Sequence, residues 1–216
     1  SRGTFIQARQ YLDVFPSDCL RYYFACKMNG GLEDIDLQSD DFIARVNSDL
    51  IGKLVNIASR SASFMHKYFD GNLAATCKDL ALYQTWCNDA DVIFKAYRDR
   101  DNAKAIRLIM AIADKINQYV DTHKPWVMAK DPELLPGVQD VCSMALNGFR
   151  LLMILLQPII PDLAEKAQEF LKESSWSWQD LSPLCGHQIG VYVPLLTRLQ
   201  PEQWQQMIAT GAEFNS

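Results

Sequence analysis

Apolar residues in this chain recur three and four positions apart over long runs, and the interruptions fall at proline, glycine and paired acids. That spacing places one apolar stripe along an α-helix, whereas a half-buried strand alternates every second residue. Phe5, Ile6, Ala8, Tyr11 and Leu12 predict a short helix ahead of Pro16. Ser17-Asp18 resembles an N-cap for a second helix, through Leu20, Tyr22, Tyr23, Phe24 and Ala25 to the stop at Gly30-Gly31. Ile35-Asp36-Leu37 alternates like a brief strand, and Ser39-Asp40-Asp41 begins a helix with carboxylates at its positive end. No proline interrupts Phe42 to Phe69, and Asp70-Gly71-Asn72 closes that stretch, the longest helix expected.

A second helical region runs from about Leu82 to His123, broken or bent near Arg98 to Asp101. Lys124-Pro125-Trp126 turns into a short helix, a fourth pattern covers about Val138 to Leu156, and a fifth covers Asp162 to Lys172. Residues 174 to 200 are helix-poor and read as an arm laid over the bundle, with a last helix near Glu202 to Thr210. The fold class is therefore all-α: an antiparallel helical bundle preceded by a small mixed segment.

Turned at about 100° per residue from Arg45, the long helix gathers Arg45, Asp49, Lys53, Asn56, Arg60, Ser63 and Lys67 into an arc about 80° wide. Val46, Leu50, Leu54, Ile57, Ala58, Ala62, Phe64, Met65 and Tyr68 form its core face, and Asn47 falls among them as a structural amide. The stripe sets four cations against one carboxylate in a chain whose net charge is −5. A solvated helix face mixes Glu with Lys at i,i+4, yet no Glu occurs between Glu33 and Glu133. The stripe reads either as an ordinary charged face or as a strip for a phosphate-bearing partner. Asn56 and Arg60 project side by side and can offer an amide and a guanidinium fork to one planar polar group. Trp126, directly after Pro125 in an interhelical turn, is either a cover for the bundle end or a stacking platform for an unpaired base.

With 216 residues and 49% hydrophobic content the chain can bury a substantial core, and its negative total excludes a grip on nucleic acid driven by overall charge. Its six cysteines show no C-x-x-C pair and read as reduced, mostly buried thiols of a cytoplasmic protein. No uninterrupted apolar run reaches bilayer length, so no membrane partner is expected. The three histidines are too scattered for a ligand set, and no glycine-rich phosphate loop, H-E-x-x-H or G-x-S-x-G occurs. Asp34 and Asp36 read as solvating a connector.

Two short strings resemble class I aminoacyl-tRNA synthetases. Ser1-Arg2-Gly3-Thr4-Phe5-Ile6 is similar to the continuation of their KMSKS loop, with Ser1 matching its last serine, and Asp18-Cys19-Leu20-Arg21-Tyr22 is similar to the element that follows. Arg45-Val46-Asn47-Ser48-Asp49-Leu50, Val55-Asn56-Ile57-Ala58-Ser59-Arg60 and Lys124-Pro125-Trp126-Val127 resemble the methionyl-tRNA synthetases, in their bacterial form.

The resemblance implies a stem-contact segment at residues 1–40, a helical anticodon-binding domain at 41–173, and an arm at 174–216 packing back toward a catalytic domain of the same parent chain. It also implies that Asn56, Arg60 and Trp126 recognise the CAU anticodon of methionine tRNA, chiefly its first base, cytosine. Arg45, Lys53, Lys67 and Pro125 are expected as supporting RNA contacts. No catalytic residue, cofactor or metal is expected here, and the chain alone is expected to be inactive. ATP, Mg²⁺ and a structural Zn²⁺ belong to the full enzyme that the resemblance implies. The alternatives are the tail of another class I synthetase and a helical protein-interaction module.

Overall fold

The computed structural model describes residues 6–31 and 35–213. The expectations attached to Ser1, to Phe5 and to Asp34 lie outside that range. The described elements are α1 (Ala8–Leu12), α2 (Ser17–Ala25), α3 (Ser39–Arg45), a π-wound segment (Val46–Val55), α4 (Asn56–Phe69), α5 (Leu80–Cys87), α6 (Ala90–Arg98), α7 (Asn102–His123), α8 (Pro125–Met128), a 3₁₀ turn (Pro132–Leu134), α9 (Leu135–Leu156), α10 (Pro161–Leu171) and α11 (Pro201–Glu213). Ile35–Leu37 forms no strand, because no neighbouring chain is available to pair with it; the only β-type pairing among the described residues is the isolated bridge Asn72–Gln188. The segment expected to be mixed contributes two helices.

α9 is the hub. It packs against α4, α7, α8 and α10, and it is buried almost all round from Val141 to Leu156. This explains why Pro132–Leu156 is, by length and composition, apolar enough to cross a membrane, with mean hydropathy 1.3, while 89% of that window lies inside the protein. An uninterrupted-run criterion overlooks it, since Gln139, Asp140, Asn147 and Arg150 punctuate the helix. At Gly148 the crossing with α7 is so close that a Cβ would sit 2.8 Å from Ile116 Cδ1.

The long helix runs from Ser39 to Phe69, as the missing prolines imply, and Asp70 ends it in the left-handed region at φ 50°. Its winding is not uniform. Residues Val46–Val55 are π-wound, with wider turns than an α-helix, so a wheel drawn at one pitch loses register by on the order of half a turn. Asn117 on α7 donates to the Lys53 carbonyl near the end of this segment, at 3.3 Å, and to its own helix at Ala113, at 2.9 Å. The second helical region breaks not only near Arg98–Asp101 but also at Asn88-Asp89.

The D-x-L-R-Y string docks rather than caps its own helix. Asp18, 3% exposed, accepts the Leu163 N–H at 2.7 Å and so caps α10, while Arg21 donates to the Ile159 and Pro158 carbonyls. The arm is held by main-chain contacts. Asn147 exchanges two hydrogen bonds with Leu184, at 3.0 and 2.6 Å, and Asn47 does the same with Leu199, both at 2.8 Å. Asn47 is thus the structural amide expected, half-buried at the arm. The Arg150–Glu173 pair, 4% and 13% exposed, adds a two-pronged contact, and Arg150 also donates to the Ser182 carbonyl.

The cysteines are all free, but only Cys19 and Cys142 are buried; Cys26, Cys77 and Cys87 are half-buried and Cys185 is exposed. Burial pushes the Cys19 and Cys142 thiols up to about 12 and the Cys26 thiol up to about 11, which keeps them protonated at neutral pH.

Candidate nucleic-acid interface

The long helix, from the π-wound segment into α4, and α7 run in the same direction, as two ion pairs between them show. Lys53 meets Asp114 at 2.7 Å and Arg60 meets Asp121 at 3.3 Å, so both members advance by seven residues together. The cationic stripe is therefore countered by carboxylates from the neighbouring helix, a feature that a wheel of one helix cannot display. Each carboxylate is well exposed, at 58% and 60%, so the pairs are weak, on the order of 0.2–1 kcal/mol apiece.

The turn after α7 brings Trp126 to Arg60. Lys124 takes φ 50°, Pro125 fills the first position of α8, where a missing N–H costs nothing, and Trp126 follows half-buried. The Arg60 guanidinium lies over the indole, 4.5 Å from its centroid. Such a contact contributes roughly 0.5–2 kcal/mol, depending on how far it is desolvated. Asn56 stands one turn before Arg60, half-buried, and its side chain makes no hydrogen bond to the described residues. Its amide is free to receive a ligand.

Sequence reading and structure agree on bringing Arg60 and Trp126 together beside Asn56, and differ on the rest of the stripe. Lys67 is exposed, over the Tyr68 ring at 4.9 Å, two turns beyond Arg60. Arg45 lies further toward the N-terminus, in a cleft against α7 and 3.6 Å from Asp41, and Asp49 accepts the Tyr22 hydroxyl at 2.9 Å. Pro125, expected as an RNA contact, is buried and serves to start α8. Asp114, Asn117 and Asp121 are the residues that sequence reasoning missed. The matched seven-residue intervals 53–60 and 114–121 were the available signal.

The other tryptophans are structural. Trp86 is buried, Trp176 donates to Glu173 at 2.6 Å, Trp178 stacks on Phe94 at 4.2 Å, and Trp204 packs on Phe15 and Phe42. Among the described residues no three His, Cys, Asp or Glu side chains converge as a metal site.

Residues 75–205 match the family described as the anticodon binding domain of methionyl tRNA ligase, and residues 1–62 match class I tRNA synthetases (M). The chain belongs to the methionyl-tRNA ligase family. Within this family it is similar to the methionine–tRNA ligase of Thiobacillus denitrificans (strain ATCC 25259 / T1), 49% identical over 210 residues. That alignment takes in 96% of this chain and 30% of the relative, so the chain spans less than a third of that protein. The fold is similar to methionyl-tRNA synthetase of Mycobacterium tuberculosis in its free state, with TM-score 0.78 at 21% identity, covering 88% of this chain and 40% of that one. It is likewise similar to the same enzyme in complex with methionyl-adenylate, with TM-score 0.75 and 21% identity over 82% of this chain and 37% of that one.

Proposed function

We propose that this chain reads the CAU anticodon of a methionine tRNA for a parent enzyme that attaches methionine to it. The observation that carries this reading is the Arg60 guanidinium held over Trp126, with the unengaged Asn56 amide one turn away. Cytosine presents acceptors at O2 and N3 and an amine donor at position 4, whereas uracil reverses the polarity of the last two. A guanidinium can donate to the acceptors while an amide oxygen accepts the amine. Uracil leaves such groups unpaired, at a cost of about 1–3 kcal/mol each. Stacking on an aromatic ring supplies affinity irrespective of base, and edge hydrogen bonds supply the choice, the usual division of labour for unpaired RNA bases.

In this reading Lys53 and Lys67 make supporting backbone contacts, residues 41–173 form the reading body, residues 1–40 face the stem, and the arm at 174–216 packs toward the catalytic domain. ATP and Mg²⁺ would supply methionine activation in the parent enzyme; the residues described here bind and orient RNA, and they offer no donor set for a structural zinc. Fluorescence anisotropy with labelled hairpins carrying CAU or UAU, at one salt concentration, tests the reading. CAU should bind about 5- to 150-fold more tightly, corresponding to about 1–3 kcal/mol. Equal affinities would remove base recognition.

A further inference from the structure

A cleft of about 480 Å³ opens between the π-wound segment and α7, lined by Arg45, Arg107, Asp49 and Asp114 over an apolar floor that includes Ile106 and Met110. Its position follows from the ion-pair register. Lys53–Asp114 and Arg60–Asp121 are successive rungs, each pairing a cation of the long helix with a carboxylate of α7. One rung further toward the N-terminus, α7 presents Arg107 where a carboxylate would continue the series. The wider turns of the π segment stretch the matching interval on the other helix, and Arg45, eight residues before Lys53, lines the same cleft. The rung holds two guanidiniums and no carboxylate of its own.

The nearby acids are already engaged. Asp114 pairs with Lys53, Asp49 accepts the Tyr22 hydroxyl, and Asp41 is shared by Lys27 at 2.8 Å and Arg45 at 3.6 Å. Arg107 is exposed and makes no ion pair with a described residue, and Arg45 Nε is buried with no nitrogen or oxygen acceptor, the Cys26 thiol being the side chain beside this guanidinium. A buried Nε–H without an acceptor, on a guanidinium whose far end is held only by Asp41, beside the exposed Arg107 guanidinium in an open cleft, calls for an anion with several acceptor oxygens.

We propose that the Arg45–Arg107 cleft is a second RNA contact, a seat for a backbone phosphate of the hairpin whose unpaired base lies at Arg60 and Trp126. This rests on the RNA reading above. The two places lie on the order of 20 Å apart along the helix, so the phosphate belongs to a nucleotide other than the one being read. A phosphate carries no base identity, and the cleft therefore contributes affinity without discrimination.

The test is anisotropy binding of fluorescein-labelled CAU and UAU hairpins to the full-length protein across a salt series, comparing wild type with Arg107→Gln. Arg107 is exposed and unpaired, so its replacement leaves the fold intact, which circular dichroism checks; Arg98→Gln, on the exposed side of α6, is the control. The expected result is a loss of about three- to tenfold for both hairpins alike, with a log–log salt slope shallower by about 0.7–0.9. Arg98→Gln leaves both quantities unchanged. An unchanged affinity and slope in Arg107→Gln, or a loss confined to CAU, overturns the phosphate seat. Equal binding of the two hairpins by the wild type would instead overturn the base reading alone.

Discussion

The contact of Arg60 with Trp126 makes a quantitative demand on a double-mutant cycle. Trp126→Ala removes the stacking surface and the support under Arg60, while Arg60→Gln removes the guanidinium and leaves the indole. Loss of a stacked base costs about 1–3 kcal/mol, and loss of the charged hydrogen bonds to a base edge costs about 1.5–3 kcal/mol. Were the two residues independent, the double variant would lose the sum. They are 4.5 Å apart, and the ordering that the ring gives the guanidinium before RNA arrives, worth at most the about 0.5–2 kcal/mol of that contact, is forfeited by both single variants. The double variant should therefore lose about 0.5–2 kcal/mol less than the sum, a coupling that starts where the roughly 0.3–0.5 kcal/mol deviation of independent sites ends. The assay is isothermal titration of a CAU hairpin into the four proteins at one salt concentration, with Trp126→Phe as a variant that keeps a ring face. Strict additivity would show that the indole does not orient Arg60, and the recognition geometry would then have to be abandoned even if each residue matters alone.

Three other outcomes follow. Asp121→Asn removes the carboxylate 3.3 Å from Arg60, so affinity for CAU and UAU hairpins should both rise by about 1.4- to 5-fold, and a fall in either would show that the carboxylate orients Arg60 more than it restrains it. Asn147→Ala leaves the Leu184 N–H and carbonyl unpaired and should lower stability by about 2–5 kcal/mol in urea denaturation; a midpoint shift equivalent to less than about 1 kcal/mol would mean that the arm finds substitute partners. Burial raises the Asp18 pKa in the folded state, opposed by the Leu163 N–H it accepts, so the folded protein holds that proton more tightly than the unfolded chain. Its contribution to stability is present below the unfolded value near 4 and fades as pH rises through the raised folded value. Asp18→Asn should abolish that decline, and identical pH profiles of the urea midpoint for the two proteins would refute the assignment.

The helices were legible because helical spacing and punctuation agree. Pro16, Pro125, Pro132 and Pro161 all fall at helix starts, and Asp70 and Lys124 occupy the left-handed positions where the chain turns. The π winding was not legible, since Val46 to Val55 carries the same apolar repeat an α-helix would, and only three-dimensional hydrogen bonding reveals the change of pitch. A uniform wheel therefore misses that Arg45 keeps to the α7 side only because the wider turns stretch its interval to Lys53 to eight residues. Arg60, Asn56 and Trp126 were legible from local spacing and a turn. Their restraints were not, because Asp114 and Asp121 sit far along the chain and become neighbours only once α4 and α7 lie parallel. Asp18 follows the same logic: a residue suited to capping the helix it begins caps a helix distant in sequence instead.

The two asparagine clasps bear on how the arm can vary over time. An amide that grips peptide groups at Leu184 and Leu199 recognises the position of the backbone and is indifferent to the side chains between them. Val191 and Val193, 80% and 65% exposed in that interval, take no part in fixing its course. Outward positions on the arm are thereby released from the duty of keeping it in place, so substitution there can retune whatever surface they meet while the path beneath stays the same.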